Sequence, residues 1–351
     1  MADLVAPNDL APTVASWDHP LADPNVQDAH IVHTLAPLAN VPGFGRIESA
    51  YRQRFRLKSW QYMTAVTDEL FIAFVVGTAG FASNGFVYAA ELPSGRVHKR
   101  FAITPFTVGT TVAPSSVTGK HRFATRGLSV AIENRSGGRA FGVAIEARTE
   151  AGGKLAAELD FDGDRPSDEH LAICVPLPGG RWNYTHKFGA FAVSGHVTID
   201  GRRIAFAPQR SFGTMDFTKM YALRHAVWRW VAVCGKSRQG ATIGLNLVDP
   251  TPDAPISENA LWVDGKREAI TNVVIGVDGA SPDSGWRLEA DSVDVRMTAV
   301  AHVEQKLDLP LVRHKLRHVV GAFSGHVRTR SGHIHDLDSI VGIAEDYDTW
   351  W

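Results

Sequence analysis

Ser194-Gly195-His196-Val197, followed by a short turn at Asp200-Gly201, an apolar run and then Gly213 with Asp216 three places on, is one half of a pair. The other half is Ser324-Gly325-His326-Val327, a turn at Arg330-Ser331-Gly332, an apolar run, and Gly342 with Glu345 three places on. A fixed offset of about 130 residues between two such strings is the mark of an internal repeat. The correspondence extends upstream. Trp60-Gln61-Tyr62 answers to Trp228-Arg229-Trp230, Phe71-Ile72-Ala73-Phe74 to Ile243-Gly244-Leu245-Asn246, and Phe86-Val87-Tyr88 to Leu261-Trp262-Val263. Each aromatic strand then runs into a turn, Pro93-Ser94-Gly95 in one copy and Asp264-Gly265 in the other.

Runs rich in Val, Ile, Phe, Thr and Trp, separated by Gly, Pro, Asp and Ser, dominate the chain, and helical periodicity is scarce. The expected fold is all-β, with two tandem calycin- or lipocalin-like antiparallel barrels related by duplication. Residues 1–44 form an N-terminal arm, 45–217 the first barrel and 218–351 the second. Closing such a sheet removes its exposed edges, and a barrel of about eight strands is filled by side chains or holds one small ligand. In the strand around Trp228, the period of two places Trp228, Trp230 and Ala232 on one face and Val227, Arg229, Val231 and Val233 on the other. One face lines a barrel and the other packs on the partner half; alternation alone does not choose between them.

The chain of 351 residues is long enough for two cores, and its 44% hydrophobic and 21% charged content is ordinary for a globular protein. A net charge of −1 speaks against a nucleic-acid partner and against general attraction to anionic membranes. Met1 to Pro20 has neither the basic start nor the apolar centre of a signal peptide. The apolar stretch from Leu70 to Ala82 is shorter than the roughly 20 residues a membrane-spanning helix requires. Cys174 and Cys234 are the only cysteines, so free buried thiols in a soluble cytoplasmic protein are expected.

The second half resembles the uncharacterised family catalogued as domain of unknown function 2804. The strings that carry the resemblance are Gly244-Leu245-Asn246-Leu247, Glu258-Asn259-Ala260-Leu261-Trp262-Val263-Asp264-Gly265 and Gly321-Ala322-Phe323-Ser324-Gly325. The closing Gly342-Ile343-Ala344-Glu345-Asp346 with a terminal Trp belongs with them, as does Lys58-Ser59-Trp60-Gln61-Tyr62 in the first half. The family's Asp-Trp-Ser/Thr-Arg-Gly string appears here as Asp216-Phe217-Thr218-Lys219-Met220, without its glycine. More distantly the layout resembles the two-barrel lipocalin-like proteins that include carotenoid hydratases, tocopherol cyclase and Diels–Alder-type fungal cyclases. That likeness implies a calycin-type fold and an apolar small-molecule ligand.

Candidate chemistry centres on Asp216 and Glu345. A carboxyl group beside an apolar cavity donates a proton to a double bond, and the ring of Trp228 or Trp230 steadies the resulting cation. Repetition favours a structural role, each acid capping a turn or pairing with an arginine such as Arg224. Asn246, Glu258 and Asn259 interrupt apolar strands; they satisfy one another or orient a ligand's polar group. His314 and His318 read as neighbours on a helix, and His333 and His335 as one face of a strand, without a third metal ligand. His196 and His326, at equivalent positions, suggest a structural hydrogen bond, and His225 falls opposite Trp228. Asp160-Phe161-Asp162-Gly163-Asp164 departs from the calcium-loop pattern. No nucleotide, serine-hydrolase or zinc motif is present, so no cofactor and no metal are expected. The favoured function is binding of an apolar small molecule in or between the barrels. The alternatives are a cofactor-free lyase, isomerase or cyclase on such a molecule, and a scaffold with filled barrels.

Overall fold

The computed structural model describes residues 4–5, 11–29, 31, 51, 53–250, 256–278, 285–308 and 312–350. The first sheet holds β1 (Ala15–Trp17), β2 (Leu57–Val66), β3 (Leu70–Thr78), β4 (Ala82–Glu91), β5 (Val97–Pro105), β6 (Thr110–Thr111) and β7 (Lys120–Thr125). It continues with β8 (Leu128–Arg135), β9 (Ala140–Arg148), β10 (Lys154–Asp162), β11 (Leu171–Leu177), β12 (Arg181–Ile199), β13 (Arg202–Phe206) and β14 (Phe212–Tyr221). The second sheet holds β15 (His225–Lys236), β16 (Thr242–Asp249), β17 (Ala260–Val263), β18 (Lys266–Ala269) and β19 (Val274–Val277). It ends with β20 (Trp286–Ala290), β21 (Val293–Asp308), β22 (Arg313–Arg328) and β23 (Ile334–Trp350). The protein is all-β, built of two curled antiparallel half-barrels.

The duplication is visible strand by strand. The order β12-β14-β2-β3-β4 in the first sheet is matched by β22-β23-β15-β16-β17 in the second. The opening strings sit at equivalent bends. Gly195 has φ +118° and Gly325 φ +137°, a region that side chains rarely enter. A Cβ on Gly195 would come within 2.1 Å of the Glu158 carbonyl oxygen, and one on Gly325 within 2.2 Å of that of Asp294. Each glycine lets a long strand press against its neighbour, which is why both copies carry it. Neither sheet closes by hydrogen bonds among the described residues: β5 and β6 end the main path of the first, β18 and β19 the second.

Three apolar clusters fill the molecule. One lies inside the first half-barrel, with Phe74, Phe123, Phe161 and Phe191; another lies inside the second, with Trp286, Leu288, Val319 and Phe323. The third joins the two sheets through Tyr62, Phe86, Tyr88, Trp230, Val320 and Ile343. The alternation in β15 is thereby resolved. Val231 and Val233 point into the second half-barrel, whereas Trp230, Ala232 and Cys234 meet the first sheet. Trp286, Leu288, Val295, Val319 and Phe323 are fully buried, and so are Phe74, Phe123 and Phe191; no water-sized void touches them. Large side chains occupy these parts of the two interiors.

Within the 1–44 stretch, β1 pairs with β11, and Leu4, Val26 and Ile31 pack on the first core. Most of the rest of that arm, and the terminal Trp351, lie outside the described residues. Both cysteines are free and buried. Among the described residues no helix is long and apolar enough to cross a membrane.

Candidate active site at the seam

Cross-strand register lines up two rows of side chains that face each other across the seam. In the first sheet Lys187, Asp216 and Tyr62 are directly opposed on β12, β14 and β2. In the second, His318, Glu345 and Trp230 hold the equivalent places on β22, β23 and β15. Directly opposed residues share a sheet face, so each row presents its groups together. One step along, Trp60 and Trp228 are likewise equivalent, and each donates its indole N–H to the acid of its own copy. Trp60 Nε1 is 3.3 Å from Asp216 Oδ2, and Trp228 Nε1 is 2.6 Å from Glu345 Oε1.

The surroundings of the two acids then diverge. Asp216 Oδ1 accepts from the hydroxyls of Thr218 at 2.9 Å and Thr185 at 3.0 Å. Lys187 Nζ lies 3.3 Å from Asp216 Oδ2 and 2.6 Å from Glu258 Oε2, which binds the first sheet to the segment before β17. Burial opposes the charge on Lys187, but the two carboxylates overcome it, and the ammonium titrates above the ordinary lysine range. Its Nζ also sits 5.3 Å from the centre of the Trp230 ring.

Glu345 faces an imidazole instead. Its Oε2 is 2.5 Å from His318 Nε2. His318 Nδ1 is 3.1 Å from the Tyr88 hydroxyl, which is 3.4 Å from that of Tyr62. With Nε2–H donated to the carboxylate, Nδ1 is the acceptor for Tyr88, and the chain has a consistent direction. Burial raises both phenols well above their usual range, helped in each case by the charge of Glu345 and at Tyr62 by that of Asp216. Tyr62 thus feels both acids, and its ring meets Trp230 and His318 edge-on at 5.4 and 5.7 Å. The two rows form one cluster.

Trp230 donates to Asn246 Oδ1 at 2.7 Å, and Asn246 donates to the Glu258 carbonyl at 2.8 Å. Asn259 Oδ1 accepts from the Val248 amide at 2.6 Å, so its side chain is taken up by backbone. Asp216, Glu258, Glu345, Trp228, Trp230 and Asn246 therefore come together, with Asn259 behind them. Arg224 does not join them. It is exposed beyond the end of β14, and the cation paired with Asp216 is Lys187. Arg224 lies near Lys58, whose pKa falls to about 7 through burial and the charges of Arg56 and Arg224.

His314 and His318 lie on strand β22, where a spacing of four also returns to the same face; the helix expected there is absent. His314 Nδ1 is 3.2 Å from the Tyr347 hydroxyl. His333 is an exposed turn residue bonded to Ser331, and among the described residues no cluster of three or more potential metal ligands occurs. His196 meets Arg203 at 3.2 Å, and His225 meets Asp348 on the exposed side of β15. Asp160 and Asp164 pair with Arg135 and Arg139.

Lys187, His318, Tyr62 and Tyr88 belong to this cluster, and motif reasoning passed over them as candidates. A signal was there: Lys187 precedes Gly189-Ala190-Phe191 much as His318 precedes Gly321-Ala322-Phe323. Separate from the site, a concavity of about 100 Å³ lined by Arg165, Gln209, Phe212 and Lys236 opens further along the seam.

No curated protein matches the sequence. Among solved structures, a protein described as a candidate AttH from Nitrosomonas europaea is 13% identical, with a TM-score of 0.51, over 84% of this chain and 92% of its own. This likeness shows the two-half-barrel fold. Kievitone hydratase from Nectria haematococca is 11% identical, with a TM-score of 0.47, over 90% of this chain and 95% of its own. The model for the domain of unknown function DUF2804 matches residues 40–351, and the chain belongs to that family.

Proposed function

We propose that the seam between the half-barrels binds a small, mostly apolar molecule, gripping it by aromatic faces and by the polar ends of the two rows. The observation that carries this is the convergence of Trp60, Trp228, Tyr62 and Trp230 with three carboxylates whose side chains keep 12%, 15% and 13% of their exposure (Asp216, Glu258 and Glu345). Apolar walls with a few convergent polar groups are the usual composition of a small-molecule site. Native mass spectrometry after incubation with a total lipid extract tests it: a retained mass is expected, and its loss in Trp228→Ala places it at the seam. A protein that emerges without any adduct overturns the proposal.

A second reading, a cofactor-free lyase, isomerase or cyclase, is favoured by the Glu345–His318–Tyr88–Tyr62 chain. A carboxylate orients the imidazole, and the imidazole exchanges a proton with two phenols, the last of which faces the seam. Asp216, surrounded by donors, then serves as a fixed negative charge beside the reacting atoms. Glu345→Gln is expected to abolish conversion of the retained molecule while leaving its capture intact; conversion at the wild-type rate overturns this assignment.

A further inference from the structure

Exposed apolar side chains and arginines gather at one end of the first sheet. We propose that this end docks on an anionic lipid bilayer, with Phe55, Phe106 and Val108 entering the interfacial layer and the arginines beside them meeting headgroup phosphates. The surface is separate from the contacts of the seam and stands without a ligand there.

Phe106 and Val108 sit in the turn between β5 and β6, 44% and 61% exposed, and Phe55, just before β2, is 41% exposed. Hydrogen bonds hold that turn. The Phe106 N–H donates to the Phe81 carbonyl at 2.8 Å, and the Phe106 carbonyl accepts from Ser83 Oγ at 2.5 Å. Phe106 is thereby fixed at φ +53°, a left-handed conformation that is costly for a bulky residue, and the fold keeps it there with the side chain still half exposed. Arg54 lays its guanidinium 4.3 Å from the centre of the Phe106 ring. Lys58 Nζ donates to the carbonyls of Phe55 at 3.2 Å and Ala79 at 2.8 Å, and lies 4.7 Å from the centre of the Phe81 ring. Phe55, Phe106 and Val108 therefore share one neighbourhood.

The charge around them is of one sign. Burial, with the charges of Arg56 and Arg224, pushes Lys58 down to about 7, and burial with the charge of Arg56 lowers Arg181. Arg54, Arg56 and Arg181 make no ion pair among the described residues. A guanidinium keeps its charge across the physiological range. Like charges crowded beside apolar surface repel one another. A layer of lipid phosphates relieves that repulsion, and the bilayer beneath it takes the apolar tips. The net charge of −1 gives the whole chain no such attraction, so the pull is local and fades within a Debye length. Single-stranded nucleic acid fits less well, because bases stack on open rings. Arg54 covers one face of Phe106, and Val108 has no ring to offer.

Sedimentation of the full chain with vesicles of phosphatidylcholine, alone or mixed with phosphatidylserine, tests the proposal. Binding to the mixed vesicles is expected to be at least about tenfold tighter than to the neutral ones, and to weaken as salt is raised. Arg56→Gln removes one charge and about fivefold of that preference. Val108→Asp sets a carboxylate where the apolar tip enters and costs at least about tenfold in binding. Val274→Asp, at a 54% exposed position on the second sheet, leaves binding unchanged. None of these three side chains is buried, so the circular dichroism of each variant is expected to match that of the parent chain. Vesicles of the two compositions bound alike, no vesicle binding at all, or a Val108→Asp variant that binds as the parent does each overturns the assignment. So does an equal loss in Val274→Asp, or single-stranded nucleic acid held more tightly than the mixed vesicles in the same salt.

Discussion

The two halves lay out one plan and use it differently. In the first, Asp216 is held by Trp60, two threonine hydroxyls and Lys187, donors that do not titrate near neutrality. In the second, the places of Thr185 and Thr218 are taken by Leu316 and Tyr347, and Glu345 is left with Trp228 and an imidazole. A duplicated acid has one copy held by several donors and one shared between an indole and an imidazole. The same contrast holds inside the half-barrels. The first encloses a chain in which Ser116 Oγ meets His186 Nδ1 at 2.8 Å, His186 Nε2 meets His170 Nδ1 at 2.8 Å and His170 Nε2 donates to the Gly163 carbonyl. Among the described residues the second sheet has one buried histidine, His318, and it lies at the seam. Duplication thus supplies two equivalent frames, and local polarity decides which of them carries fixed structure.

The largest expected consequence is an unequal response to acid. Burial holds His121 down to about 3 and His170 to about 4, and it carries His186 well below the usual histidine range, with His170 and Arg139 adding to the effect. Above pH about 6.5 these rings are neutral folded or unfolded and cost nothing. As the pH falls below that, the unfolded chain takes up protons that the folded one refuses. Stability is then lost by about 1.4 kcal/mol per pH unit per histidine until the folded rings titrate. Three of them amount to about 6 kcal/mol at pH 5. Hydrogen exchange followed by mass spectrometry from neutral pH to pH 5 is expected to show β7, β11 and β12 losing protection before β19 to β21. Equal loss in the two halves would break the comparison.

Next in size is removal of the cation from each row. Lys187→Met leaves Asp216 and Glu258 together without their ammonium, and about 3–5 kcal/mol of stability is expected to go with it. His318→Phe keeps the aromatic packing against Tyr62 and leaves Glu345 with Trp228 and its 13% exposure, for about 1–3 kcal/mol. Urea unfolding of the two variants measures the ratio. A His318 variant as damaged as the Lys187 variant would mean that both rows are structural clasps.

How much of this the sequence carried follows from the physical causes. The repeat was legible because Gly195 and Gly325 stand where any side chain would strike the facing backbone, so both copies must spell the motif alike. The acids and the Trp pairs were legible for the same reason of equivalence. The cations were not: Lys187 in one copy is His318 in the other, and the changed residue type hides the match. Glu258 reaches Lys187 across 71 positions and between two sheets, a contact that no local pattern encodes. Both faces of β15 are apolar, so alternation alone could not say that the Trp face meets the other half. A spacing of four suits one helix face and one strand face equally, and only β-branched neighbours such as Val319 and Val320 argued for the strand at His318.

The smallest effect is also the sharpest probe of the comparison, because it makes the same chemical change in both copies. Trp60→Phe and Trp228→Phe each delete one indole N–H from a carboxylate and keep an aromatic ring in place. Asp216 retains two threonine donors and Lys187, so its loss is that of one bond among several, about 0.5–1.5 kcal/mol. Glu345 retains only His318 among the side-chain donors described around it, and its bond from Trp228 is the shorter of the two, 2.6 Å against 3.3 Å. The Trp228 variant is therefore expected to lose more, by about 1 kcal/mol. It should also shift the imidazole proton resonances of His318 in NMR spectra, whereas the Trp60 variant leaves them in place. If Trp60→Phe proved the costlier change, or if it moved the His318 resonances as far, the division between an acid held by many donors and one held by two would not hold, because the indole at Glu345 would then be no more than a packing contact.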